Sequence, residues 1–336
     1  MTETLTRTPK ATFRDAVNRA LNDAMARDPR VIVFGEDVAD REGGGVLTVT
    51  KGLSEAYGTD RVRSTPISEQ AIVGAAVGAA IAGARPVAEI MLNNFLRVAA
   101  DQLSNHAAKL RYMSGGQTTV PLTVRTVCGA GGGFGAQHSE LLDNEYAHVA
   151  GLRIVAPATP SDAYGLLLSC IEDDDPCLFL EHLKLYFGGP KEALPVVPAP
   201  VPIGSARIAR AGSDVTVVTY SQTVHGALTA ARAVAADGID VEVIDLRTIV
   251  PWDERTVLES AARTRRIVIA HEAAVPFGIG AEISSRIHEE LFGELAGPVV
   301  RVGSAHVPVP FAGALESAYL IGPPEIEAAI RRAAAA

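Results

Sequence analysis

Apolar residues recur along this chain in two rhythms. Short continuous runs of Val, Ile and Leu read as strands buried on both faces, and between them lie longer stretches with the 3–4 spacing of amphipathic helices. The first helix runs from Thr12 to Ala26, with Phe13, Val17, Ala20, Leu21 and Ala24 on one face, and Pro29 ends it. Val31–Phe34 is the first strand, followed by Gly35, Glu36 and Asp37. A glycine-rich loop over 40–45 and a short helix over Leu53–Tyr57 lead to 64–80. Further strands are expected over Pro86–Leu92, Pro121–Val127, Leu152–Ala156 and Cys177–Glu181, with a long helix from about Phe95 to Met113 and another from Pro160 to Ile171. Residues 188–203 hold five prolines and read as an extended linker. Beyond it the alternation resumes. Strands are expected over Asp214–Tyr220, Val241–Leu246, Arg266–Ala270 and Val299–Val302. Helices are expected over Thr223–Ala236, Asp253–Thr264, Gly278–Phe292 and from Pro324 to the end. Alternating strand and helix predicts an α/β protein with two parallel-sheet domains, 1–187 and 204–336.

One stretch departs from amphipathicity. Ser64–Ala80 begins with an extended Pro66 entry, offers Ser68 as an N-cap, and continues as a helix to about Ala82 with no charge after Glu69. Gly74 and Gly78 lie four apart and allow close approach of another backbone. A helix without a polar face is expected to be hidden completely. Glu69 is then a lone carboxylate at the mouth of an apolar helix. The plain alternative is a solvated acid favoured by the helix dipole.

Composition narrows the class. Of the 336 residues 48% are hydrophobic and 21% charged, which describes a soluble globular chain. The net charge of −9 argues against nucleic acid as a partner, and no apolar run is long enough for a membrane span. Residues 1–10 are polar and read as a flexible tail without an apolar signal segment. Cys128, Cys170 and Cys177 sit in or beside apolar runs without metal-ligand spacing. Buried thiols in a cytoplasmic protein are expected.

Candidate chemistry gathers at strand ends, where sites of parallel sheets collect. Glu36 and Asp37 follow the first strand, although loop acids are common. Gly131–Ala136 fits the dinucleotide fingerprint as a string, but no acid follows the next strand, so a flexible loop closing over a bound molecule is preferred. His138 directly follows this loop and is placed for proton transfer, unless it is an ordinary surface histidine. His271, past a strand end, ranks behind it. His106, His225 and His288 read as structural or exposed. No nucleophile elbow or paired zinc-ligand spacing is present.

Thr65–Glu69, Gly83–Glu89, Arg111–Gly116, Gln137–Ser139, Gly35–Val38, Phe277–Glu282 and Val307–Phe311 together resemble the beta subunit of thiamine-diphosphate-dependent 2-oxo acid dehydrogenases, including the acetoin-cleaving type. The resemblance runs the length of the chain. It implies a pyrimidine-binding transketolase-like domain over 1–187 and a transketolase C-terminal-like assembly domain over 204–336. It implies that Glu69 hydrogen-bonds the aminopyrimidine ring of thiamine diphosphate, that Phe95 packs against it, that Glu36 borders it, and that His138 handles protons in decarboxylation and acyl transfer. Leu122, Cys170, Ile171, Asp173 and Asp175 match backbone positions that hold potassium in some members. The diphosphate and Mg2+ belong to the alpha subunit through a Gly-Asp-Gly motif, which this chain lacks.

The implied function is one half of an alpha2-beta2 enzyme that cleaves a 2-oxo acid or acetoin beside its carbonyl and passes the acyl group to a lipoyl acyltransferase. Glu140 stands where Gln is usual, and Asn93 and Asn94 where acidic or aromatic residues are common, which bears on the substrate. These departures motivate a second reading, a two-subunit carboligase or transketolase-like enzyme without a lipoyl partner. A nucleotide-dependent dehydrogenase would rest on the glycine string alone. A non-catalytic subunit has no reason to keep Glu69 and His138.

Overall fold

The computed structural model describes residues 10–197 and 199–336. The tail expected at the N-terminus lies, up to Pro9, outside them. The strands in chain order are β1 Lys10–Ala11, β2 Val31–Glu36, β3 Val62–Thr65, β4 Arg85–Leu92, β5 Thr123–Cys128, β6 Arg153–Val155, β7 Cys177–His182, β8 Glu192–Ala193, β9 Arg207–Arg210, β10 Val215–Thr219, β11 Val241–Asp245, β12 Thr248–Val250, β13 Ile267–Ala274 and β14 Val300–Ser304. Seven form one sheet in the order β12-β6-β7-β5-β4-β2-β3, and five form a second in the order β14-β13-β10-β11-β9.

Both sheets are parallel at the centre and mixed at one edge. β12 runs antiparallel to β6, and β9 antiparallel to β11. β12 lies in the second half of the sequence but closes the edge of the first sheet. The two halves also share an apolar core, in which Ile154 and Leu178 of the first sheet join Val218, Ile244 and Ile249 of the second half. Part of the proline-rich segment is used as structure, since β8 pairs antiparallel with β1 in a two-stranded ribbon.

Local chemistry explains the helices. Thr12 and Asp15 form a reciprocal capping box at the first one, which buries the expected face from Phe13 to Met25. Such a cap contributes about 1 kcal/mol. The helix over Glu69–Ile81 begins where expected, yet the Ser68 side chain makes no capping bond. Nor is this helix hidden. Ile72, Val73, Ala76, Val77 and Ala80 are buried, whereas Ala71, Ala75, Gly78 and Ala82 form an exposed apolar stripe. The segment expected as one helix to Met113 is instead a 3-10 turn over Asn93–Arg97, a π-helical stretch over Gln102–Ala107 and an α-helix over Ala108–Met113. The 3-10 turn seats Asn93, Asn94 and Phe95 at the carboxyl end of β4. The three cysteines are buried and unpaired.

Candidate active site

The carboxyl ends of β2, β4, β5 and β7 converge with the start of the Glu69–Ile81 helix. Glu36 ends β2, in register with Thr65 on β3, and Glu69 follows four residues later. Gly35 pairs with Glu89 on β4. A side chain on Gly35 would place its Cβ 2.6 Å from the Glu89 carbonyl oxygen, so this crossing needs glycine. Glu36 and Glu69 are each only 9% exposed, and neither carboxylate accepts a hydrogen bond among the described residues. Burial, and then the negative charges of Glu69, Asp37 and Glu89, push the Glu36 carboxyl above its ordinary range.

Glu89 links this acidic group to a buried network. Arg125, in the middle of β5, bonds Glu181 in a bidentate fork at 2.7 and 2.9 Å and Glu89 at 2.7 Å. Tyr186 donates to Glu181 at 2.5 Å. Burial alone would disfavour the guanidinium charge, but Glu181 and Glu89 hold its pKa above the ordinary value. Breaking such a pair would cost ~3–5 kcal/mol. The network floors a cavity of about 530 Å3 that His138 also lines, with Phe134 and Phe187 among its apolar walls.

His138 stands between that cavity and a second one of about 340 Å3, bordered by Asn94, Phe95, Arg97 and Glu140. Its ring meets Phe95 edge to face, with centroids 5.5 Å apart. The three unusual residues belong to one interaction. Asn93 Nδ2 donates to the Glu140 carbonyl at 2.8 Å, Asn94 Nδ2 to the Glu140 carboxylate at 2.7 Å, and Arg97 joins them at 2.8 Å. The Oδ1 atoms of Asn93 and Asn94 are buried without a partner among the described residues. Phe95 and His138 are thus brought together, as are Glu36 and Glu69. Glu89 relates the two pairs: its charge acts on Glu36, and its carboxylate takes Arg125 in the cavity that His138 lines.

The glycine loop is held rather than free. Gly131, Gly133 and Gly135 adopt left-handed conformations (φ 107°, 71° and 74°). The turned amides form an anion-binding concavity, but its anion comes from the same chain. Glu272 Oε1 accepts from Ala130 N at 2.7 Å, and Glu316 Oε1 from Gly131 N at 2.8 Å. Both Glu316 oxygens also reach Gly133 N, at 3.1 and 3.2 Å. Glu272 is itself bonded to His182 at 2.8 Å. His182 Nδ1 accepts from Lys184 N, which leaves Nε2 as the nitrogen whose proton points at Glu272. Burial raises the Glu272 carboxyl, but His182, the Ala130 amide and Lys184 outweigh it and leave the pKa below the ordinary range. The second half of the chain, expected mainly as an assembly surface, therefore adds two carboxylates to this region. The dinucleotide string binds no phosphate in this geometry, because Glu316 fills its cradle.

Other expected residues fall elsewhere. His271 is buried between the Ala273 carbonyl and the Gly280 amide, and burial lowers its pKa to about 4, so it is a neutral core histidine. Among the five potassium-type positions, the Ile171 and Asp173 carbonyls accept from Arg85 at 3.1 and 3.0 Å, and the Leu122 carbonyl accepts from Cys177 N. The Asp175 carboxylate pairs with Arg111 and Arg153, and Cys170 lies buried in the Pro160–Glu172 helix. Arg85 supplies positive charge at the Ile171 and Asp173 carbonyls.

Comparison with known families places the chain. Residues 9–187 match the transketolase pyrimidine-binding domain and residues 204–326 the transketolase C-terminal domain. The beta subunit of an acetoin:2,6-dichlorophenolindophenol oxidoreductase from Cupriavidus necator is 44% identical over 331 residues, covering 96% of this chain and 97% of that one. This chain belongs to the transketolase-like family of dehydrogenase E1 beta subunits. Another E1 beta relative, pyruvate dehydrogenase E1 component subunit beta-1 of Arabidopsis thaliana, is 45% identical, with 95% of this chain and 87% of that one covered. A solved split-gene transketolase, described as an inactive beta4 tetramer, shares the fold at 23% identity, with a TM-score of 0.76 over 97% of this chain and 99% of that one. E1 beta subunits of this kind work with thiamine diphosphate and an alpha partner within a dehydrogenase complex.

Proposed function

We propose that this E1 beta subunit supplies the pyrimidine half of a thiamine diphosphate site in an alpha2-beta2 enzyme acting on a small 2-oxo acid, such as pyruvate, or on acetoin, with transfer of the acyl group to a lipoyl partner. The observation that carries the reading is the pair Glu36 and Glu69, two residues each only 9% exposed whose carboxylate oxygens remain accessible and take no donor among the described residues. Acids so nearly enclosed are ordinarily satisfied by a protein group or by a bound molecule. An aminopyrimidine, with both donor and acceptor atoms, suits carboxylates left open.

When bound, the cofactor supplies a carbanion-forming thiazolium and an electron sink for cleavage beside a carbonyl. The chain's own residues hold and move protons. Glu69 shares a proton with the ring nitrogen of the pyrimidine, and Glu36, whose protonated form is favoured by burial and then by the surrounding negative charge, borders it. Phe95 packs against the ring and fixes the edge of the His138 imidazole. His138, between two cavities, exchanges protons with the reacting oxygen and the incoming thiol. Asn94 and Glu140 line the acyl side, with Asn93 holding the Glu140 backbone behind them, and together they tune substrate choice. The diphosphate and magnesium are assigned to the alpha subunit. The relatives' names are those of oxidoreductases and dehydrogenases, which favours this reading over a carboligase. The exposed Ala71–Ala82 stripe supplies a face for the partner.

Calorimetry tests the half-site. Thiamine diphosphate with magnesium should bind the isolated chain weakly or not at all and bind tightly once the alpha subunit is added. Micromolar binding by this chain alone overturns it. Assays of the assembled enzyme on pyruvate, branched 2-oxo acids and acetoin then identify the substrate.

A further inference from the structure

We propose that Glu316, assisted by Glu272, is a positioning residue for His138: carboxylates of the C-terminal half clamp the glycine loop and thereby fix the histidine that serves the reacting carbonyl. The inference rests on the proton-transfer role given to His138 above and extends it to residues with no assigned role.

The loop between β5 and the Asp143–Ala147 helix is closed at its base by Gly129 N donating to the Glu140 carbonyl. Its downstream end is tied from within the first sheet by Asn93, Asn94 and Arg97. Asn94 also donates to the Ala136 carbonyl at 3.3 Å. Among the described residues its upstream end has no such tie from the first sheet. Glycines at 131, 132, 133 and 135 leave that backbone many conformations. What selects one is the pair of carboxylates at Ala130, Gly131 and Gly133, both only 6% exposed and so shielded from water. Charge-assisted bonds to amides are the stronger kind. Phe311, five residues before Glu316, supplies a steric contact, since a Cβ on Gly135 would lie 3.1 Å from its ring. His138 N then bonds the Gly135 carbonyl, so the histidine is indexed to the clamped turn. Glu316 and Phe311 sit in or beside the Gly313–Tyr319 helix, which makes the seat of that helix a determinant of His138 geometry.

The test uses the assembled alpha–beta enzyme with thiamine diphosphate and magnesium. Glu316→Gln keeps an acceptor at Oε1 for both glycine amides, and kcat should stay within about 3-fold of wild type. Glu316→Ala should lower kcat for decarboxylation and acyl transfer about 10²-fold with KM little changed, the loss typical of a catalytic group displaced by about 1 Å. Proton exchange at the thiazolium carbon, which depends on Glu69, should be unchanged in both. Amide hydrogen exchange on the isolated chain should quicken over 129–139 in Glu316→Ala alone. If the alanine variant does not fold, Glu316→Asp, which withdraws the carboxylate by one methylene, should show the same kcat-only loss at about 10-fold. Wild-type kcat in the alanine variant, or loss of thiazolium exchange together with kcat, overturns the proposal. So does a glutamine variant as impaired as the alanine one. An assembled wild type inactive on every 2-oxo acid and on acetoin would instead sink the functional reading, while the hydrogen-exchange arm would still judge the clamp.

Discussion

Glu69 and His138 do different work at different moments, and this separates them experimentally. Glu69→Gln keeps size and hydrogen bonding but cannot share a proton with the pyrimidine, so it should slow thiazolium proton exchange before any substrate arrives. His138→Ala should leave that exchange nearly intact and impair decarboxylation or transfer to the lipoyl group. General acid–base contributions of ~10²–10⁴-fold set the size of each loss. Equal exchange rates in wild type and Glu69→Gln would refute the role given to Glu69. Glu36 and His138 are legible as candidates from a strand end and the glycine string, Glu69 from its place at the start of an apolar helix, and Phe95 only through the family resemblance. Arg125, Glu89 and Glu181 had only a faint signal, charges inside apolar strands. Glu272 and Glu316 had none, because they lie 142 and 185 residues from the amides they hold and only the fold brings them there.

At the scale of elements, periodicity located the main strands and helices but not their partners. Edge strands β9 and β12 are short, and their antiparallel direction is a tertiary fact that alternation cannot express. The π-helical stretch over Gln102–Ala107 is invisible to a 3.6-residue period, which reads straight through a single bulged turn. The Glu69–Ile81 helix failed in the opposite way. Its composition foretold burial, and half of that burial is missing from the single chain. Gly78 faces open space, with no atom within 4 Å of an added Cβ. Gly78→Leu should therefore keep or raise the melting temperature of the isolated chain, since leucine is favoured over glycine in a helix by up to ~1 kcal/mol. The same change should weaken association with the alpha subunit at least 10-fold in sedimentation experiments, because a bulky side chain holds an approaching backbone away. Unchanged association would place the partner on another face.

Across the whole molecule, the two halves are locked by a charged cluster that sequence patterning could not reveal. Asp162 follows the N-cap of the Pro160–Glu172 helix, and Asp245 ends β11. Arg207 on β9 bonds Asp245 at 3.0 Å and lies 3.4 Å from Asp162, while Arg247 reaches Asp162 at 3.1 Å. Asp245 is fully buried. Burial and the charge of Asp162 push its carboxyl up to about 7, with Arg207 and the Arg247 amide acting against them. For an acid whose pKa is raised by folding, the native state binds the proton more tightly than the unfolded chain. Stability from this group is therefore present below about pH 4 and is lost as pH rises toward 7. Asp143 adds to the same trend, because burial raises it to about 6 against its bond from Tyr220. Asp245→Asn mimics the protonated form and removes one titration while keeping the shape. The unfolding free energy of wild type minus that of Asp245→Asn should fall between pH 4 and 7 and level off above, in denaturant titrations at fixed ionic strength. A difference that is flat, or that rises with pH, would mean that Arg207 and Arg247 hold Asp245 charged throughout, and that the junction is an ordinary ion pair.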